Sequence, residues 1–166
     1  MNKKPAMRSL KLILPIALLI LFSACQSQTK TANSKSDEST SKELVYLEGF
    51  FAKNNLVFET QIIHLLIRNQ ADFEHYFGMA PVMGEKIILP DFSATHIGAI
   101  ITQPSKERQV LSIPSCMEKQ DQWIINYTHD YFEEQSFSSN SVLIFEIPKT
   151  VESIAFKSGS NIILAD

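Results

Sequence analysis

A single long apolar run stands near the start of this chain, and it is too short to cross a membrane. Leu12 to Phe22, broken only by Pro15, spans about 11 residues, against the roughly 20 that a membrane-spanning helix needs. Lys3, Lys4, Arg8 and Lys11 precede it, and the small residues Ser23 and Ala24 follow. A basic start, a short apolar middle and a small-residue end make the layout of a secretion signal. Residues 1–24 are therefore expected to be removed, leaving the rest of the chain to build the fold.

The next residue is Cys25, and Phe22-Ser23-Ala24-Cys25 resembles the bacterial lipobox, with Phe where Leu is usual. The resemblance implies cleavage before Cys25 and lipidation of its thiol. The plainer alternative is an ordinary residue beside an ordinary cleavage site. Acyl chains contribute about 0.8 kcal/mol per buried methylene, and more than one chain gives stable anchoring. Gln26 stands where an acidic residue tends to retain lipoproteins in the inner membrane. Its presence implies a cell-envelope protein of the outer membrane, facing the periplasm, if the host is Gram-negative.

Gln26 to Lys42 is polar and low in complexity, with Ala32 its only apolar residue. Such a segment cannot bury enough surface to offset its ordering entropy, so residues 25–42 read as lipidated cysteine and flexible tether. One domain is expected over 43–166, near the commonest domain size. Removing the four basic residues of the signal from the chain's 15 Lys+Arg leaves 11 against 18 Asp+Glu, a formal balance of −7. That balance argues against nucleic-acid binding and against polybasic contact with anionic lipid. With Cys25 acylated only Cys116 remains, so no disulfide within the chain is available and a hydrophobic core must hold the domain.

The pattern is mostly that of strands. Val57 to Ile67 is rich in β-branched and aromatic residues, and Ile62 to Ile67 is apolar on both parities except at His64, which predicts a strand packed on both faces. Asn69 has the character of a helix N-cap, with Asp72 three residues on. The helix is expected from Gln70 to about Gly78, with Phe73, Tyr76 and Phe77 on one stripe. Pro81 and Gly84 mark a loop, and Pro90-Asp91 a turn. His96 to Thr102 predicts a second apolar strand. Arg108 to Met117 and Gln122 to Tyr131 predict a hairpin around 118–121, with Trp123, Ile125 and Tyr127 on one face. Val142 to Ile147 predicts a strand stopped by Pro148, and Ile154 to Lys157 with Asn161 to Leu164 a last hairpin around Ser158-Gly159. The fold class is α+β: a mainly antiparallel sheet with one short helix packed on it, since crossover helices for parallel pairing are missing.

The sequence contains no nucleophile elbow, P-loop, His-Glu-x-x-His or Cys-x-x-Cys. His64, His75, His96 and His129 lack the spacing of a common zinc site, so neither metal nor cofactor is expected. Cys116 reads as a small buried residue, and Asp130, Glu133 and Glu134 as solvated carboxylates. These readings favour a non-enzymatic protein. The aromatics Tyr127, Tyr131, Phe132 and Phe137 bracket a polar stretch expected to be a loop between two strands. They either form a partner-binding surface, as aromatic side chains often do, or fill the core. Glu48-Gly49-Phe50-Phe51 allows the same two readings.

The strand and aromatic helix of Ile62 to Phe77 are followed by Pro90-Asp91-Phe92-Ser93, an apolar strand, a hairpin and Ser141-Val142-Leu143-Ile144-Phe145-Glu146-Ile147-Pro148-Lys149. This order is similar to the C-terminal domain of the PrcB family of protease-complex subunits. Asp91, Phe92 and Ser93 match its "Pro-x-x-Asp-Phe-Ser"-like run, and Ile147, Pro148 and Lys149 its late-strand ending. Pro104-Ser105-Lys106-Glu107-Arg108 replaces the Gly-Gly-Tyr-like run that the family often carries before its hairpin. The resemblance implies a lipoprotein that binds and stabilises a secreted protease without catalysis of its own. The sequence thus predicts a membrane-anchored accessory protein with a protein partner. The alternative is a glycan- or small-ligand-binding lipoprotein that stacks its ligand on Trp123 or on the Tyr127–Phe137 aromatics.

Overall fold

The computed structural model describes residues 40–80, 87–119 and 122–165. The signal, Cys25, the tether up to residue 39, the Pro81 and Gly84 loop and the 120–121 tip of the expected hairpin lie outside them. The described chain runs β1 (Thr40–Ser41), β2 (Phe50–Ala52), β3 (Ile62–Ile67), α1 (Gln70–Tyr76), β4 (Phe77–Met79) and β5 (Thr95–Thr102). It continues with β6 (Ser105–Lys119), β7 (Gln122–Ser139), β8 (Val142–Pro148), β9 (Ser153–Ser158) and β10 (Asn161–Ala165). The domain is mostly β-sheet with one short helix, and its open sheets are rich in antiparallel pairing.

Three layers result. A five-stranded sheet, β1-β6-β7-β9-β10, faces a three-stranded sheet, β3-β5-β8, and α1 with the β2-β4 pair covers the far side of the latter. The three-stranded sheet is apolar on both faces because it serves two cores, as the continuous apolar runs predict. Ile100, Phe145 and Ile147 pack with Leu111, Trp123, Ile125, Ile154 and Phe156 of the larger sheet. Ile97, Ala99, Ile101 and Ile144 point the other way, onto Ala52, Phe73 and Phe77. Alternation within one strand thus divides its residues between the two cores.

The helix is capped as expected: the Asn69 side chain accepts from the Asp72 backbone N–H at 2.9 Å. It stops at Tyr76 rather than Gly78, because Phe77 is extended and starts β4, whose pairing with β2 replaces another helical turn. Phe73 packs edge-on against Phe50 and Phe92, which anchors this layer.

Three boundaries and one strand pairing differ from expectation. Thr40 and Ser41, placed in the tether by composition, pair with Glu118 and Met117, and Lys42 reaches the Glu118 carboxylate at 2.6 Å. The first strong strand begins at Ile62, since Val57 is 84% exposed with nothing to pack on. The polar stretch beyond Tyr131, expected as a loop, is strand throughout, β7 continuing to Ser139 against β6. β7 and β9 pair in parallel; β8, lying in the opposite sheet, makes the crossover that a helix would otherwise make.

Candidate functional site

β6 and β7 form a ribbon much longer than the sheet that supports it. β9 pairs with β7 only over Gln122 to Asn126, and β1 touches β6 only at Met117 and Glu118. From Thr128 onward the strand ladder links β7 to β6 alone. The register shifts between Gln109↔Tyr131, Glu107↔Glu134 and Ser105↔Ser139, so β7 carries extra residues there. Bulges of this kind turn side chains out of the regular ladder. Tyr131, Phe132 and Phe137, exposed by 48%, 46% and 60%, all lie on this unsupported length.

Polar contacts hold the ribbon in shape. Arg108 donates to Glu133 at 2.7 Å, and its guanidinium carbon lies 4.4 Å from the centre of the Phe132 ring. The Arg108 hydrogen bond holds the Glu133 carboxyl below its ordinary range. Gln109 donates to the carbonyls of Gln103 and Ser139 at 2.9 and 3.3 Å, and its Oε1 lies 2.8 Å from His129 Nε2. The amide oxygen can only accept, so His129 must carry its proton on Nε2. The His129 ring lies 4.5 Å from the Tyr131 ring, tilted by 46°, and burial lowers its pKa.

Tyr127 does not join the exposed aromatics. It is buried, and its hydroxyl meets His64 Nε2 at 3.0 Å, while the His64 ring lies 4.9 Å from Phe156. Burial lowers the His64 pKa to about 4, which keeps the imidazole neutral between the two sheets. Trp123 is only 4% exposed within the same core and offers no platform for a sugar. The four aromatics therefore divide by tertiary contact: Tyr127 packs against His64 in the core, and the three further along β7 are exposed.

Phe50 is packed on Phe73, whereas Phe51 is exposed, so the Gly49-Phe50-Phe51 segment divides in the same way. Cys116 is buried and its thiol is pushed up to about 11 by burial, which makes it a poor nucleophile. Among the described residues no group of three or more His, Cys, Asp or Glu could hold a metal ion. The residues that carry the PrcB resemblance serve structure. Asp91 accepts from the Ser93 N–H at 2.9 Å and from the Ser93 hydroxyl at 2.6 Å, Phe92 packs near Phe73, and Pro148 ends β8.

Two exposed features had no advance signal. A cleft of about 530 Å³ lies between the β3 edge at His64 and Ile163 of β10, and Ile162, Ile163 and Leu164 are exposed along β10. Period-2 patterning identifies a strand, but whether another strand covers its edge depends on the topology. No protein family, curated protein or solved structure matches this chain.

Proposed function

We propose that this protein is an accessory lipoprotein, held at the cell envelope by lipid on Cys25 and a tether, and that it binds another envelope or secreted protein without catalysis of its own. One observation carries the reading: Tyr131, Phe132 and Phe137 are each exposed along one ribbon, Tyr131 beside Gln109 and His129 and Phe132 against Arg108. Rigid aromatic side chains lose little conformational entropy on docking, and aromatic and Arg residues dominate the energetics of protein interfaces. The unpaired length of β7 adds backbone N–H and C=O groups that a partner strand can use. The resemblance at Asp91-Phe92-Ser93 and Ile147-Pro148-Lys149 points to a secreted protease as that partner. The burial of Trp123 removes the strongest support for a glycan-stacking role.

Chemical crosslinking in intact cells, followed by pull-down through a tag after Asp166, tests this. One envelope or secreted protein recovered in near-equal amount is the expected result. Recovery of this chain without a partner would refute the reading. In the same cells Cys25→Ser should release the protein from the membrane fraction, whereas full retention would remove the lipid anchor from the proposal.

A further inference from the structure

The last strand has an unpaired edge of unusual composition. β10 pairs with β9 through Asn161↔Ser158 to Ala165↔Ile154 and ends the five-stranded sheet. Among the described residues no strand pairs with its other edge, and natural sheets guard such edges with lysine, proline, a bulge or a covering segment. The outer edge of β8 has such a cover, since Glu146 N–H donates to Val45 and Leu47 N–H to Ile144, both at 2.9 Å. Among the described residues β10 has no lysine, proline or bulge, and β3 lies near it across the cleft at Ile163 without pairing to it. Asn161-Ile162-Ile163-Leu164-Ala165 carries no charge, and Ile162, Ile163 and Leu164 are 61%, 44% and 66% exposed.

We propose that this edge joins two copies of the chain, β10 pairing antiparallel with β10 of a second copy about a two-fold axis through Ile163. The composition favours a second copy over an unrelated strand, because the segment complements itself. In this register Ile163 faces its own counterpart, Ile162 faces Leu164, and Asn161 faces Ala165, so no charge opposes a like charge. The outer sheet face continues the match. Met117, Ile124, Ala155 and Leu164 are directly paired neighbours that form an apolar row across β6, β7, β9 and β10. The proposed pairing extends that row onto Ile162 of the second copy, and Lys157 ends it there. The two Lys157 side chains then lie about 16 Å apart, from strand spacing and rise, which is beyond the Debye length of roughly 8 Å at physiological salt. A two-fold pairing of one patch with itself is the commonest route to a closed dimer. If the lipid anchor of the proposed function holds, confinement to one membrane raises the effective concentration of the second copy.

The test uses the full chain in cells carrying Ile163→Cys, with the envelope's oxidising conditions as the crosslinking agent. Directly opposed residues have Cβ atoms about 4.5–5.5 Å apart, close to disulfide reach. In Asn161→Cys the introduced thiols lie about 14 Å apart by strand rise. Ile163→Cys should therefore give on the order of ten times more disulfide-linked dimer than Asn161→Cys, because only its thiols come within bridging distance. Cys116 is buried and adds no background. Adding Leu164→Lys should abolish the dimer band, and adding Ile162→Glu as well should restore it through cross-strand pairing of opposite charges. No self-linked dimer from Ile163→Cys, linkage to a different protein instead, or equal linkage at both positions would each overturn the proposal. Membrane fractionation of the same cells reads the anchor separately, so a failed anchor is not mistaken for a failed dimer.

Discussion

Gly98 lies directly opposite Phe145 across β5 and β8, and the Phe145 ring covers the space that a Cβ would occupy. Phe145 is fully buried between the sheets and has no room to swing aside. Gly98→Ala should therefore cost about 1–3 kcal/mol, the usual penalty for overpacking, measured as a shift in urea midpoint at constant slope. His64 carries a second prediction. Its folded pKa of about 4 lies below the ordinary 6.5 because burial disfavours the imidazolium. The unfolded chain therefore takes up the proton more readily. The stabilising effect of this neutral histidine is complete above pH 6.5 and is lost as pH falls toward 4. Melting temperature should drop between pH 7 and pH 5, and it should drop less in His64→Gln. His96 and His129, whose pKa values are also lowered by burial, supply the remaining slope. Equal slopes in the two proteins would show that His64 is not the group responsible.

The helix depends on its cap more than a long helix would, since α1 has only seven residues. Asn69→Ala should cost about 1 kcal/mol, read by denaturation, while Asn69→Asp should restore most of that loss. Asn69, Asp72 and Phe73 were legible in the sequence because capping and the helical stripe are local rules. So were β5 and β8, whose apolar runs are continuous, and the face shared by Trp123, Ile125 and Tyr127. The far half of β7 was not legible. Tyr131 to Ser139 mixes acids, serines and aromatics without alternation, and it is strand because Ser105 to Gln109 of β6 holds it there. The β2-β4 pairing and the parallel contact of β7 with β9 escaped for the same reason, since both join segments far apart in sequence. Within the candidate site, residue type pointed to the aromatics, but only the tertiary contact with His64 separates buried Tyr127 from exposed Tyr131, Phe132 and Phe137.

At the scale of the whole molecule, two cores share one central sheet, so the domain has no need of a disulfide, and its polar contacts lie mainly at the periphery. That division leaves the β6-β7 ribbon free to vary without loss of the fold. Exposed substitutions there should change stability by no more than about 0.5 kcal/mol, which separates binding effects from folding effects. The most direct test of protein binding compares wild type with the Phe132→Ser/Phe137→Ser double variant in the same in-cell crosslinking and pull-down. The partner should be recovered by wild type and weakened roughly thirtyfold in the variant, as expected for loss of about 2 kcal/mol at an aromatic hot spot, with melting temperature unchanged. Equal recovery of the partner by both proteins would contradict a binding surface on this ribbon.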